Sequence, residues 1–551
     1  MTAPTDRWRR PLLFAALALL PVAAIVLVGL WRLSGPAAGP DHAAAESDPP
    51  LAAALDRALR RLPGEMAPGV ALRPLEVPEG TAAASVMADA VCESLSGGLS
   101  RLRSLRVASC GSTRTAVAAQ LDDAQLGRLL RVNYVLSGRL EPAGDERWRV
   151  QLELRDLPSG QSRWRIDEAL ATGALQGLPS RVAAAAAQAI GEPAPADAEP
   201  PLDPALYPLM LRARQLARRP AVDERREALA LVEQVLAAAP DHTPALYMRL
   251  GLRSQLSGLP GGPLSSGSAA QIRDAQAAAR REVSELGQRL VAADPGDWRG
   301  NLLLINDALM HRRWPDALDR AELVTRHAGN HPGLLRTAAR VLLHMGYVGR
   351  TQALALEAAR IDALDAEAFG VLVLTHGMLG ELPAMRELLA VAEQLGHRQL
   401  ELPRALEALA RGDRAAFERG ASAWIRAGRS DAPLPDWTGP WLAAVADPSR
   451  RGEARAAFDA APDNVRLLRA EFLMEYALAG DHERARDALA RLAQRPIGPW
   501  AQHLWWPQLA ALRQDPAFVE AMQALGLVAL WEARGAPDLC RRGPDGVWSC
   551  R

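Results

Sequence analysis

The pattern of apolar and polar positions changes character several times along the chain. From Pro11 to Trp31 there is no charged residue, and these 21 positions suffice to cross a bilayer as a helix. Residues 51–62 then place Leu51, Leu55, Leu59 and Leu62 at helical spacing. From residue 69 the period shortens. "GVALRPLEV" and "LRVASC" read as strands, with the helical "ASVMADAVCESLSGGLSRL" between them. "DDAQLGRLLR" is a short helix with Asp122 as its N-cap. "VNYVLSGRLEP", "RWRVQLELRDLP" and "QSRWRIDEAL" are three strands joined by "AGDE" and "PSGQ", which is hairpin chemistry. "LPSRVAAAAAQAIG" closes with a helix. The expected order is βαβαβββα, a compact α/β domain over residues 67–191.

Beyond a Pro/Ala/acid linker at 192–204 the helical period returns and persists. Pro-Asp and Asn-His-Pro breaks recur at "AAAPDH", "AADPGDW", "AGNHPG" and "AAPDNV", and each separates two helical stretches. A unit of two helices repeating at a period near 34 marks tetratricopeptide-like repeats, expected here over residues 205–495. "LSGLPGGPLSSGSAAQ" reads as an inserted loop, and "YALAGDHERARDALARL" as the second half of a repeat, with Gly480 at its turn. Residues 496–551 are expected to be capping helices and a disulfide tail.

Charge distribution orients the chain. Arg7, Arg9 and Arg10 precede the apolar segment, which places that side in the cytoplasm. Trp8 and Trp31 bracket the segment, as interfacial tryptophans do. The expectation is a cytoplasmic tail at 1–10, a transmembrane helix at 11–32, and a linker with one short helix at 33–66. Everything beyond the span then lies in the periplasm of a bacterial inner membrane. A cleaved signal peptide is the rival reading, since Val22-Ala23-Ala24 could serve a peptidase. The apolar run continues well past that point. Only ten residues precede the span, so no nucleic-acid-binding domain is expected.

Composition then narrows the chemistry. The 64 basic residues are balanced by 64 acidic ones, and every basic residue is arginine. Without lysine there is no P-loop lysine, Schiff base or Ser-x-x-Lys pair. No nucleophile–base set can be assembled. "SLSGGLS" and "GGPLSSGS" lack the strand and lysine that would make a phosphate cradle. His327 and His331 are four apart but flank a helix break, with no acidic trio beside them. No cofactor, metal or catalytic residue is expected, and the chain reads as non-enzymatic.

Two pairs of cysteines remain. Cys540 and Cys550 enclose a short loop with Gly543, Pro544 and Gly546, which can turn back on itself. In an oxidising compartment a structural disulfide is expected there, against the alternative of two free thiols. Cys92 and Cys110 fall on a helix and at the end of the following strand. A bridge is geometrically open to them, and so is burial as two small apolar residues. Fourteen tryptophans outnumber Phe and Tyr together. Trp437 and Trp441, in the loop-like "DAPLPDWTGPW", are the best candidates for a partner-binding pair. The competing reading is core filler among small alanines.

The α/β stretch resembles the TolB-N-like (FlgO-related) domain. The resemblance lies in "ADAVCESLSGGLSRLRSLRVAS", "VNYVLSGRLEP" and "VQLELRDLPSGQSRW", and in the spacing of Asp156, Gly160 and Trp164. "LRPLEVPEG" departs from the family by lacking an asparagine-containing segment after the first strand. Bacterial membrane proteins of this kind join the domain to tetratricopeptide repeats, and the closing "DPAF", "LGL" and "PDLC" resemble their last helices. Many relatives carry a cytoplasmic winged-helix domain; with ten residues before its expected span, this chain is expected to depart from them there. The resemblance implies a membrane-anchored interaction scaffold or assembly factor whose partner is a protein or peptide. The alternative is a periplasmic sensor that relays its signal through a membrane partner.

Overall fold

The computed structural model describes residues 68–551, except 103, 119–120, 145, 194–201, 219–221, 258–268, 328–330, 396, 398–399, 427–432, 462–464, 466–468 and 495–499. The expected membrane span at 11–32, the helix at 51–62 and most of the inserted loop lie outside these residues. Among the described residues no helix is long and apolar enough to cross a membrane.

A small mixed sheet comes first. Its elements are β1 (Gly69–Leu72), α1 (Ala82–Leu99), β2 (Arg106–Ala108), α2 (Cys110–Ala118), α3 (Asp123–Leu130), β3 (Tyr134–Pro142), β4 (Arg147–Asp156), β5 (Ser162–Ala171) and α4 (Leu178–Ile190). The strand order is β2-β1-β3-β4-β5. β1 runs parallel to β2 and β3, whereas β3, β4 and β5 form an antiparallel meander. Asp122 caps α3 in a reciprocal capping box with Gln125. One helix was not expected. "CGSTRTAVA" forms α2, although Gly, Ser and Thr are poor helix formers. Its buried Thr113 donates to the Leu72 carbonyl, a tertiary tie that outweighs propensity.

Alternation along the strands divides the sheet faces. Leu136, Leu140, Val150, Leu152, Leu154 and Ile166 point into one core with α1 and α4. On the other face, Ala71 and Val135 join Leu126 and Leu130 of α3 in the core of the helical region that follows. Further along β3–β5 that face carries charges and meets solvent.

The rest of the chain is mostly helical. α5 (Tyr207–Arg218), α6 (Val222–Ala238), α7 (Thr243–Ser257) and α8 (Ala269–Ala293) share a separate core. Then come antiparallel hairpins: α9 (Trp298–Met310) with α10 (Trp314–His327), α11 (Pro332–His344) with α12 (Val348–Ile361), α13 (Ala366–Met378) with α14 (Leu382–Gln394), and α15 (Glu401–Ala410) with α16 (Arg414–Arg426). α17 (Thr438–Ala446), α18 (Arg451–Asp459), α19 (Leu473–Leu478) and α20 (His482–Ala493) continue the array. The hairpin turns carry left-handed residues at Arg312, Gly346, Gly380, Gly412 and Gly480. Their spacing is 34, 34, 32 and twice 34. Glycine suits this conformation because it has no Cβ.

Arg312 takes the same place without being glycine. Its backbone cost is offset by its side chain, which donates to the Ala524 carbonyl at 3.0 Å and the Ala493 carbonyl at 2.8 Å. Those residues end α20 and α21 (Pro516–Ala524), so one guanidinium caps the last helix of the array and one of the C-terminal segment. That segment docks on the turn ends of the first hairpins. Trp314 donates to the Leu525 carbonyl at 2.7 Å, and Trp505 to the Leu343 carbonyl at 2.7 Å. Trp531, on α22 (Leu527–Arg534), donates to the Met345 carbonyl at 2.9 Å. A Cβ at Gly346 would stand 2.7 Å from the Trp505 ring, so this glycine is needed for both its conformation and its clearance.

Candidate functional site

Two places in the molecule concentrate unusual chemistry, and a third is an open groove. The first is the joint between the sheet and the helical array. Arg106 begins β2, and its buried side chain donates to the Arg360 carbonyl at 3.0 Å and to the Arg131 carbonyl. Those carbonyls sit at the ends of α12 and α3, where helices leave acceptors unsatisfied. Burial, with Arg360 and Arg131 nearby, lowers the Arg106 guanidinium to about 10.

Just past β2, Asp362 completes the joint from the other side. Its carboxylate accepts from the Ser109 N–H at 3.3 Å and the Ser112 hydroxyl at 2.6 Å, at the start of α2. Within its own turn it accepts from the Leu364 N–H at 3.1 Å. Asp362 is buried, and burial together with the Asp365 charge pushes its carboxyl up to about 7. Asp365 is also raised by burial, against an ion pair with Arg336. Two buried carboxylates three residues apart therefore face each other's charge at the point where the regions meet, and Arg336 pairs with Asp365.

The second place is an aromatic block around Arg469, and here the expectation for Trp437 and Trp441 is corrected. Both indoles are buried, so neither offers a surface to a partner. Trp441 donates to the Glu475 carbonyl at 3.0 Å and packs edge-on against Phe417 and Trp437. The Arg469 guanidinium lies 4.0 Å above the Trp424 ring and donates to Glu475 at 2.9 Å. The residues that follow, Ala470, Glu471 and Phe472, have φ of 48°, 57° and 59°. Three left-handed residues in a row cost about 1–2 kcal/mol each. Phe472 stacking on Phe458 at 4.3 Å and Glu471 pairing with Arg491 at 3.3 Å offset that cost. The tryptophans act as core filler because the alanines around them leave large volumes to occupy.

The third place is a groove of about 360 Å³ between α10, α11 and α12. Ala321, Ala338 and Leu342 form an apolar floor. Glu322 and Arg350 pair across it at 2.9 Å, and Arg326 stands at its rim. The size falls within the range of small-ligand and side-chain pockets.

The four cysteines form two bridges. Cys540 joins Cys550 across β6 (Cys540–Arg542) and β7 (Trp548–Cys550). The tail is also held by hydrogen bonds, since the Arg551 N–H donates to Leu539 and its carbonyl accepts from Arg513 at 2.6 Å. Trp548 packs on Trp531 at 5.5 Å. Cys92 on α1 joins Cys110, the first residue of α2. Cys110 sits between Ser109 and Ser112 at the joint, whereas the Cys540–Cys550 bridge lies at none of the three places. Among the described residues no group of His, Cys, Asp and Glu could hold a metal ion.

The joint leaves no local mark in the sequence. Asp362 lies in "RIDALDAEAF", which reads as an ordinary helix break, and nothing local marks contacts 250 and 253 positions away. No protein-family model matches this chain, and no curated protein matches it.

Proposed function

We propose that this protein is a non-enzymatic interaction scaffold or assembly factor. It is anchored in a bacterial inner membrane through residues 11–32, with its bulk in the periplasm. The helical region is a degenerate tetratricopeptide-like solenoid, and the sheet domain is of the TolB-N-like kind. The observation that carries the reading is the 34-residue recurrence of left-handed turns from Arg312 to Gly480. Stacked hairpins of that period present grooves between neighbours, and the cleft between α10, α11 and α12 is such a groove. Its apolar floor and charged rim suit one apolar side chain of a protein or peptide partner flanked by charge. Two disulfides among the described residues fit an oxidising compartment.

The test places a photo-crosslinking residue at Thr325, beside the groove, in the full chain in membranes. A discrete adduct that disappears when Ala338→Trp fills the groove is the expected result. Identical adducts from a crosslinker at the remote Glu79, or adducts unaffected by Ala338→Trp, would refute the groove.

A second reading, a periplasmic sensor acting through a membrane partner, is favoured by one feature. Asp362 changes charge near neutrality at the contact between the two regions, so the joint itself could report on pH.

A further inference from the structure

β5 is the open edge of the sheet, and its charges define how a second strand would fit. Thr172 donates its N–H to Glu146, next to the register pair Arg147 and Ala171. Hydrogen-bonded pairs alternate along an antiparallel ladder. Ile166, Glu168 and Leu170 therefore bond inward to β4, and Arg165, Asp167 and Ala169 turn their N–H and C=O groups outward. The Ala169 carbonyl accepts from the exposed Arg147 guanidinium at 2.6 Å, a contact that can swing away. Ten residues of edge are available, nearly all of them exposed or half-buried.

The side chains of that edge are almost fully paired within the chain. Arg163 bonds Asp156 at 3.0 Å, Asp167 bonds Arg149 at 2.9 Å, and Glu168 bonds Arg181 at 2.8 Å. Arg165 is the exception, with no ion-pair partner among the described residues. On the same face, two positions along, stands Asp167.

We propose that β5 is a homodimer edge, on which two copies pair antiparallel about Ile166. Arg165 of one copy then stands opposite the partner subunit's Asp167, and the reverse holds across the two-fold axis. Both are outward-bonding residues, so each such pair exchanges backbone hydrogen bonds. The four charges form a checkerboard on one face. Other symmetric registers lack this match. Moving the axis one residue either way sets Arg165 against itself or Asp167 against itself. Moving it two residues sets Arg163 against Arg165, or Asp167 against the apolar Ala169. Charges on an edge strand ordinarily discourage pairing; here their order selects one register. The opposite edge, β2, is sealed by the joint at Arg106 and Asp362, so pairing through β5 closes at two copies rather than propagating.

The experiment measures the mass of the full chain in detergent micelles across a concentration series. Wild type should be dimeric at micromolar concentration. Arg165→Asp and Asp167→Arg should each weaken self-association at least about tenfold, because opposite-charge pairs become like-charge pairs. Mixing the two variants, differently tagged, should restore a dimer containing one of each. Ala169→Pro removes an outward N–H without altering charge, and should also give monomers. A wild-type chain that stays monomeric at about 100 μM overturns the proposal. So does a dimer that persists unchanged in Ala169→Pro, or a mixture that pairs no better than its components.

Discussion

β2 and β5 bound the same sheet, yet they meet their surroundings in opposite ways. β2 has three residues, all buried, and both its ends are tied to the helical array. β5 has ten, carries charge on its exposed face, and no helix covers its outer edge among the described residues. An unpaired strand edge is a template for further strands, so each edge needs a means of control. The array supplies it for β2 by spending buried polar groups. β5 relies on charges in solvent. Buried polar contacts are costly to break, and exposed ion pairs contribute little. The two edges should therefore respond very differently to substitution.

Arg106→Ala should have the largest effect. It leaves the Arg360 and Arg131 carbonyls without their charged donor, at a cost of about 3 kcal/mol in urea unfolding. Amide exchange should rise in β2 and in α12 while β5 is unchanged. Protection lost equally at both edges would contradict the asymmetry.

Cys540→Ser should cost about 2–3 kcal/mol by the chain-entropy model, because the bridge closes a loop of about ten residues. Limited proteolysis should then free the tail and loosen the α9–α12 turn ends, leaving the sheet intact at both edges. If both thiols of the intact protein label without reductant, the bridge is absent from the folded chain.

A comparable effect is expected from pH at the sealed edge. The folded-state value of Asp362 lies above that of the unfolded chain. Its contribution to stability is complete below the ordinary Asp value and is lost as pH rises through about 7. Unfolding free energy should thus fall between about pH 4 and 7 in wild type and level off above that. Asp362→Asn should flatten that slope. An unchanged slope would mean that another group titrates.

The smallest effect belongs to the open edge. Arg165→Ala should change monomer stability by less than about 0.5 kcal/mol, since the side chain makes no ion pair or hydrogen bond among the described residues. A larger loss would reveal an intrachain role for Arg165 and would remove the contrast between the edges.

How much of this was readable in advance depends on the range of the interaction. Strands β3, β4 and β5 followed from two-residue alternation and from turn residues such as Gly160, which takes a positive φ. Asp122 was legible as a cap because capping spans only three residues. The α2 helix was hidden because its own residues argue against it. The joint was hidden because Arg106 and Asp362 are distant in the chain and each has an unremarkable neighbourhood. Trp437 and Trp441 misled in the opposite sense. A loop-like Pro/Gly context suggested exposure, but the left-handed turn at 470–472 brings Phe472 to within 5.1 Å of the Trp437 ring and closes the block. Whether a large aromatic side chain lies inside or outside depends on what the rest of the chain brings to it.

The double cap made by Arg312 has a kinetic side. Its two carbonyl partners lie 181 and 212 residues downstream, and Trp314 waits for a carbonyl 211 residues away. Contacts of such separation form late, because the intervening chain must first be closed into a loop. During synthesis the α9–α10 hairpin therefore emerges with an unpaired indole and a left-handed arginine that nothing yet holds. Assembly of the first hairpins is completed by the last part of the chain to arrive. A chain interrupted before about residue 500 would lack the strap that closes its middle, and it would meet the quality-control proteases of its compartment with that surface open.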